Sequence, residues 1–314
     1  MIKIYNIDRF IAISSIVLFA ASSSVSAAPS VVLPVDPSNP PDPVHNADGS
    51  TDRKIVHRLA PEIYLQSPFS SRGNVLSNRS PAAGSTASAS SPISYHGGPV
   101  MTQVSKVVLI WYGNWNQANG TDTSAGQQII RDAIWGISQQ SYSNNYSGIT
   151  TGYSSNLGLY TQTGNSFVNQ ASSPTISEFT QPAASTYGGL TLTDSSVLSL
   201  VKAYAGKGDA GAIYFVLSSS DVGESSGFLT KYCGWHTYGS IGATKIKYGF
   251  IGNPNKNLGA CAVQSTSPNG NAAVDAMVSV VAHELVETVT DPLLNSWYNS
   301  SGSENSDMCA WTFG

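Results

Sequence analysis

The segment from Asn269 to Thr290 constrains the fold of this chain most, because its apolar residues recur mainly three or four positions apart. The apolar positions are Val274, Val278, Val281, Leu285 and Val289. This spacing predicts an α-helix that packs against a sheet. Pro292 disfavours helical angles at the residue before it, so the helix is expected to end at Asp291.

Two short apolar runs predict the sheet itself. The runs Lys106 to Tyr112 and Ala212 to Ser218 are typical of buried strands, and Lys245 to Ile251 predicts a third strand. Helical spacing recurs from Gln127 to Gln140 and from Asp194 to Gly206. We therefore predict an α/β or α+β fold, in which a single domain has one mixed sheet flanked by helices.

The chain divides into three parts. Residues 1–28 have a basic start, a short apolar run and a small-residue cleavage site, which together predict a signal peptide. The apolar run is too short to cross a bilayer, so no transmembrane anchor is expected. Residues 29–94 are rich in Pro and Ser and predict a low-complexity linker or pro-segment, in which Ile55 to Leu65 could form an ordered patch. Residues 95–314 are expected to form the folded domain.

Composition narrows the classes of partner. Only 11% of the residues are charged, and the net charge is −4. A chain without a basic surface has no electrostatic attraction for nucleic acid or anionic membranes, so neither partner is expected. Four Asn-x-Ser/Thr triplets are consistent with a glycoprotein, and they begin at Asn78, Asn119, Asn145 and Asn299.

Three cysteines would meet an oxidising environment after export. Cys233 and Cys261 flank the predicted strand from Lys245 to Ile251, at a separation suited to closing a loop. We predict that these two form a disulfide, which leaves Cys309 over.

The end of the long helix carries the strongest chemical signal. His283 and Glu287 are four residues apart, so they lie on one helix face and could bind the same ion. The pattern is similar to the His-Glu-x-x-His helix of zinc hydrolases, with Glu287 in place of the second histidine and Glu284 in the position of the general base.

The rest of the C-terminal region supports a cation site. Residues 257–314 contain six carboxylates but no Lys or Arg. Glu304 is the preferred third ligand, and Asp291, Asp307 and His236 are secondary candidates. The imidazole favours zinc, with all-oxygen calcium coordination as the alternative. The competing interpretation is that the carboxylates are solvated at a helix end.

Several motifs, in order along the chain, resemble the EXORDIUM (phosphate-induced protein) family. They are Tyr95-His96-Gly97-Gly98-Pro99-Val100-Met101, Leu109-Ile110-Trp111-Tyr112-Gly113, Phe215-Val216-Leu217-Ser218-Ser219-Ser220-Asp221-Val222, Cys233-Gly234-Trp235-His236 and Ser267-Pro268-Asn269-Gly270. The resemblance implies a secreted, extracellular or cell-wall protein, associated in plants with growth and cell expansion. It also implies that the family pattern continues beyond Gly314 and that a partner for Cys309 lies in that missing part.

The resemblance implies no reaction. Plant members have a small, apolar stretch where this chain has His283 to Glu287, so the metal site would belong to the branch that includes this chain. We expect a secreted protein with a zincin-like site, acting as a zinc-dependent hydrolase of peptide bonds in which His283, Glu287 and Glu304 hold zinc and Glu284 takes a proton from water. The alternative is a non-enzymatic wall or matrix protein that binds polysaccharide or a receptor. The expected partner is an extracellular or cell-wall polymer or a peptide substrate.

Overall fold

The computed structural model describes residues 55–58, 93–101, 104–138, 175–262 and 267–311. In these residues the strands are β1 (Ile55–Arg58), β2 (Ser94–Tyr95), β3 (Lys106–Tyr112), β4 (Thr175–Gln181), β5 (Thr191–Leu192), β6 (Ala212–Ser218), β7 (Gly223–Glu224), β8 (Tyr232–Ile241), β9 (Thr244–Gly252) and β10 (Trp297–Tyr298). The α-helices are α1 (Ser124–Ser138), α2 (Asp194–Ala205), α3 (Leu258–Cys261) and α4 (Ala272–Thr290).

One mixed sheet of six strands organises the domain, in the order β1-β8-β9-β6-β3-β4. β4, β3, β6 and β9 are parallel to one another. β8 forms an antiparallel hairpin with β9, and β1 pairs antiparallel with β8. The hairpin turns at Gly242, whose φ of 57° suits a residue without a Cβ. The predicted mixed sheet is therefore confirmed, and so are the three strands expected from the apolar runs.

Helices cover both faces of the sheet, which explains why the central strands are apolar on both sides. On one face α1 and α4 contact each other and pack over a core that includes Leu109 and Phe215. On the other face α2 packs over Tyr214 and Phe250. All three helices were predicted from their spacing, and α4 ends at Thr290 with Asp291 as its C-cap.

The disulfide prediction is also confirmed. Cys233 and Cys261 are bonded, with their Cα atoms 5.6 Å apart, and the bond joins β8 to α3. Among the described residues, no helix has both the length and the apolarity needed to cross a bilayer.

Part of the N-terminal interpretation lies outside the described residues. This holds for the predicted signal peptide at residues 1–28 and for the sequons at Asn78 and Asn145. Within the predicted linker, β1 pairs with β8 through backbone hydrogen bonds and so belongs to the sheet. Its position falls in the patch from Ile55 to Leu65, where some order was expected.

Candidate metal centre

The C-terminal half of α4 lies at the edge of the sheet where the parallel strands begin. At the start of α4, Asn271 Nδ2 donates to the carbonyl of Thr121, which follows β3. Near its end, the carbonyl of Val289 accepts from the backbone N–H of Met101, which precedes β3. α4 therefore runs antiparallel to β3, and its last turns carry His283, Glu284 and Glu287 to that edge.

β8 presents His236 to this part of α4. At Gly234 an added Cβ would lie 2.5 Å from Val280 Cγ1, so this position of β8 faces α4. His236 is two residues further along and lies on the same face, since side chains alternate along a strand. Its neighbour across the hairpin is Gly249, which adds no side chain to that face. The two glycines thus make room for the imidazole between the sheet and the helix.

The loop after β10 brings the remaining carboxylates. Asn299 Oδ1 accepts from the backbone N–H groups of Ser301 and Ser303, at 2.9 Å each, which closes the loop. Further along, Glu304 N–H donates to Asp307 Oδ2 at 3.1 Å. Asp307 N–H in turn donates to Glu287 Oε1 at 3.0 Å, which fixes the loop to α4.

His236, Glu287 and Glu304 form the first convergent group. His236 Nε2 lies 3.6 Å from Glu287 Oε2 and 3.6 Å from Glu304 Oε2, and all three ligand atoms lie within 4.8 Å of one another. The side chains come from β8, α4 and the following loop, and each is at most 1% exposed. Three distant parts of the chain therefore place an imidazole and two carboxylates around one point.

His283, Glu287 and Asp307 form a second group. His283 Nε2 lies 3.1 Å from Glu287 Oε1 and 3.6 Å from Asp307 Oδ1, and the three ligand atoms lie within 4.8 Å of one another. The Asp307 side chain is 22% exposed, so this group is the more accessible of the two. Glu287 belongs to both groups, and it uses a different oxygen in each.

The structure distributes the predicted ligands over the two groups. Glu287 stands beside His283 as the helix spacing predicted, but Glu304 converges with Glu287 on His236 instead of on His283. Glu284 is fully buried beside His283 and is in neither group. Asp291 Oδ1 accepts from the backbone N–H groups of Asn295 and Ser296, so this oxygen stabilises the turn after α4.

His283 and Glu287 are buried and interact strongly with each other. For His283, burial lowers the pKa, but Glu287 and Asp307 outweigh it and hold the pKa well above its ordinary value. For Glu287, burial is the largest influence and raises the pKa to about 7 in spite of His283. Glu287 Oε2 is buried and makes no hydrogen bond within the described residues. Buried carboxylates cost free energy unless a cation compensates them.

The donor set also has the dimensions of a metal site. Bonds of about 2.0 to 2.2 Å between zinc and nitrogen or oxygen place the ligand atoms of a tetrahedral site roughly 3.3 to 3.6 Å apart. The separations of 3.6 Å around His236 and of 3.1 and 3.6 Å around His283 are close to this range. Mixed imidazole and carboxylate donors suit zinc better than calcium, which binds oxygen ligands.

Comparison with known proteins now assigns the family. The family model for the phosphate-induced protein 1 conserved region matches residues 93–314, which is more than half of the chain. The chain belongs to the EXORDIUM family. The match includes every residue of both convergent groups, whereas β1 precedes it.

Plant members of the EXORDIUM family are recognisable relatives over most of their length. Protein EXORDIUM-like 3 of Arabidopsis thaliana is 30% identical over 247 residues, which cover 70% of this chain and 69% of that protein. Protein EXORDIUM of the same plant is 28% identical over 243 residues, covering 69% and 70%. Protein PHOSPHATE-INDUCED 1 of Nicotiana tabacum is 28% identical over 226 residues, covering 66% and 67%. No solved structure matches the chain significantly.

Other prominent residues of this EXORDIUM-family domain have structural roles. Trp111, Tyr112, Trp115 and Trp235 are buried in the core, as expected for packing residues. His96 Nε2 contacts the carbonyl of Tyr298 at 3.0 Å, and its ring stacks on that of Tyr298. These interactions join β2 to β10.

Two sequons lie in the described residues. Asn299 is only 3% exposed, and its side chain stabilises the loop that carries Glu304, which disfavours glycosylation of the folded protein. Asn119 is exposed, but its Nδ2 donates to Asp122 Oδ2 at 2.6 Å.

Proposed function

We propose that this EXORDIUM-family protein is secreted to the extracellular space or cell wall and binds a divalent metal ion, with zinc preferred over calcium. The convergence of His236, Glu287 and Glu304 from three separate elements carries the metal assignment. The basic and apolar start of the chain and the Cys233–Cys261 disulfide support export, because disulfides persist mainly in oxidising compartments.

Metal analysis of the purified full chain tests the first part. The protein is expected to retain zinc after dialysis against buffer and to lose it to a chelator. Glu304→Gln should strongly weaken the retention of zinc, because it replaces a charged carboxylate ligand with a neutral amide of nearly the same shape. Asp132→Asn is the matched control, since the Asp132 carboxylate lies on α1 and accepts from Gln128 Nε2. Absence of bound zinc and calcium from the folded wild-type protein would contradict the proposal.

Hydrolysis of peptide bonds is the activity that this centre supports best. When bound, zinc lowers the pKa of water to about 7 and polarises carbonyl groups. Glu284 follows His283 directly on α4 and has the place of the general base in the zinc-hydrolase helix. In this role Glu284 would take a proton from water, while His236, Glu287 and Glu304 would hold the ion.

A substitution of Glu284 tests the proposed hydrolase activity separately from metal binding. Glu284→Gln should abolish turnover of a peptide or extracellular protein substrate and leave the metal content unchanged, since Glu284 is in neither ligand group. A purified Glu284→Gln protein that retains both metal and turnover would exclude Glu284 as the base. Loss of metal in this variant would make it a ligand instead.

A non-enzymatic function is the second candidate, and burial of the site is the observation that favours it. His236, Glu287 and Glu304 are each at most 1% exposed, so a metal there would stabilise the fold out of reach of a large substrate. In this function the protein binds a polysaccharide or a receptor in the wall or matrix. Chelation would then lower the unfolding temperature, and binding to cell-wall material would persist whenever the fold is intact.

Secretion is tested in the native host. The mature protein should be recovered from the extracellular or wall fraction, with an N-terminus after the predicted signal at residues 1–28. Recovery only from the soluble interior of the cell, with residues 1–28 retained, would contradict this part of the proposal.

A further inference from the structure

The two oxygens of Glu287 are directed to different histidines. Oε2 lies 3.6 Å from His236 Nε2, and Oε1 lies 3.1 Å from His283 Nε2. Each histidine has one more carboxylate beside it, Glu304 for His236 and Asp307 for His283. One carboxylate thus stands between two half-sites that have the same composition.

This arrangement is that of a bridging carboxylate. A carboxylate that binds one ion through each oxygen places two ions side by side, and two-metal sites in enzymes have ions about 3.5 to 4 Å apart. Every histidine-to-carboxylate separation in the two half-sites is between 3.1 and 3.6 Å. Both half-sites therefore have the spacing of ligands around a metal. Glu287 is the one ligand that they share.

Charge balance favours two ions over one. Glu284, Glu287 and Glu304 are fully buried, and Asp307 adds a fourth carboxylate at the same place. Histidines that bind metal are neutral, so two divalent ions would balance these four carboxylates. With a single ion in the His236 group, a protonated His283 would offset only part of the remaining negative charge. Residues 257–314 contain no Lys or Arg, so this part of the sequence has no Lys or Arg side chain to neutralise the carboxylates.

We propose that the centre binds a pair of divalent transition-metal ions bridged by Glu287, one held with His236 and Glu304 and the other with His283 and Asp307. This inference rests on the proposed metal centre and extends it by a second ion. The ion beside His283 and Asp307 is the one nearer to solvent, since Asp307 is partly exposed and the His236 group is closed. A small polar substrate would therefore reach the ion of the His283 group first.

Metal stoichiometry of matched variants tests the pair. The full chain is stripped with a chelator, loaded with excess Zn²⁺, desalted and measured by mass spectrometry of the metal. The wild-type protein should hold about two zinc ions per chain, Asp307→Asn about one and Glu304→Gln about one. Glu287→Gln should lose most of both ions, because Glu287 serves both. Asp132→Asn should retain two.

Manganese loading tests the bridge itself. Two Mn²⁺ ions joined by Glu287 are magnetically coupled, so the wild-type protein should lack the six-line electron paramagnetic resonance spectrum of isolated Mn²⁺. Asp307→Asn, with one ion left, should show that spectrum. Circular dichroism is used to check whether each variant is folded, and Asp307→Asn carries the test if Glu304→Gln fails to fold.

The outcomes separate the two proposals. One ion per wild-type chain, unchanged by Asp307→Asn, overturns the second ion and leaves the proposed metal function intact. No ion in the wild-type chain overturns both. Two ions with uncoupled Mn²⁺ spectra overturn the Glu287 bridge.

Discussion

Gly234 of β8 packs directly against Val280 of α4, so closely that a Cβ on Gly234 would lie 2.5 Å from Val280 Cγ1. The helix therefore packs against the β8 backbone at a position two residues before His236. This contact sets the distance between the imidazole on the strand and the carboxylates on the helix.

Enlarging Gly234 should disturb both the fold and the centre. Gly234→Ala would force α4 away from β8 and should lower the free energy of unfolding by about 1 to 3 kcal/mol, the usual cost of overpacking. The shift of His236 from Glu287 should also reduce metal affinity by about 10-fold or more. Urea unfolding and metal titration measure the two effects.

Gly136→Ala is the control for that substitution. A Cβ at Gly136 on α1 meets no atom within 4 Å, so alanine there should stabilise the protein by about 0.5 to 1 kcal/mol through its better helix propensity. Equal stability of Gly234→Ala and the wild type would show that the Gly234 contact does not limit the approach of α4.

The loop that carries Glu304 depends on Asn299. Asn299→Ala removes the acceptor of two backbone N–H groups and should lower the free energy of unfolding by about 1 to 2 kcal/mol. Because Glu304 and Asp307 lie on the same loop, metal affinity should fall by about 10- to 100-fold, as for other residues that orient ligands. Asn116→Ala changes an exposed asparagine and should alter neither quantity. Unchanged metal affinity in folded Asn299→Ala would contradict the positioning role.

The disulfide should contribute a large part of the stability. Cys233 and Cys261 are 28 residues apart, and closing a loop of that length in the unfolded chain corresponds to about 3 to 4 kcal/mol. The double variant Cys233→Ser/Cys261→Ser is expected to lose about this much in urea unfolding. Cys309→Ser leaves the bond intact and serves as the control. A double variant as stable as the control would contradict the prediction.

Glu178 should make stability depend on pH in the acid range. Burial alone would raise its pKa, but hydrogen bonds from Arg131 Nε at 2.6 Å and from Trp111 Nε1 at 2.8 Å outweigh burial and lower the pKa. A carboxyl with a depressed folded pKa stabilises the protein above its unfolded value of about 4.5, and the effect is lost as pH falls through the lower folded value.

Glu178→Gln measures this contribution. At pH 7 the variant should be less stable by about 0.5 to 1 kcal/mol, a modest amount because the ion pair is partly exposed. The difference should shrink as pH falls below 4.5 and through the lower folded pKa of Glu178. In an Arg131→Met background the same substitution should have a smaller effect. A difference that stays constant from pH 7 to pH 3 would assign the effect to packing instead of charge.

Local sequence patterns were sufficient to predict the strands and helices whose apolar residues follow one clear pattern. β3 and β6 are continuous apolar runs, and α4 has an unbroken helical stripe, so their type and position followed from the sequence. β8 was not predicted because Gly234, His236 and Gly239 interrupt any apolar alternation, although the strand is buried on both faces.

The part of the metal centre that was missed depends on long-range contacts. His283 and Glu287 are a local pair on one helix, so their proximity was predictable. The position of His236 against Glu304 depends on the register of β8 with β9 and on the approach of α4, which only the assembled sheet defines. Asp291 had the right charge and position in sequence, but its Oδ1 is used by the turn after α4.

The short strand β1 closes the side of the sheet on which His236 lies, with Ile55 paired to His236 itself. A chain cut between β1 and the rest of the domain could release this strand. The backbone amides and carbonyls of β8 would then form an open edge, which invites a strand from another molecule and leads to aggregation. By pairing with β8, the four residues of β1 cover the backbone edge of the strand that carries the buried His236 imidazole.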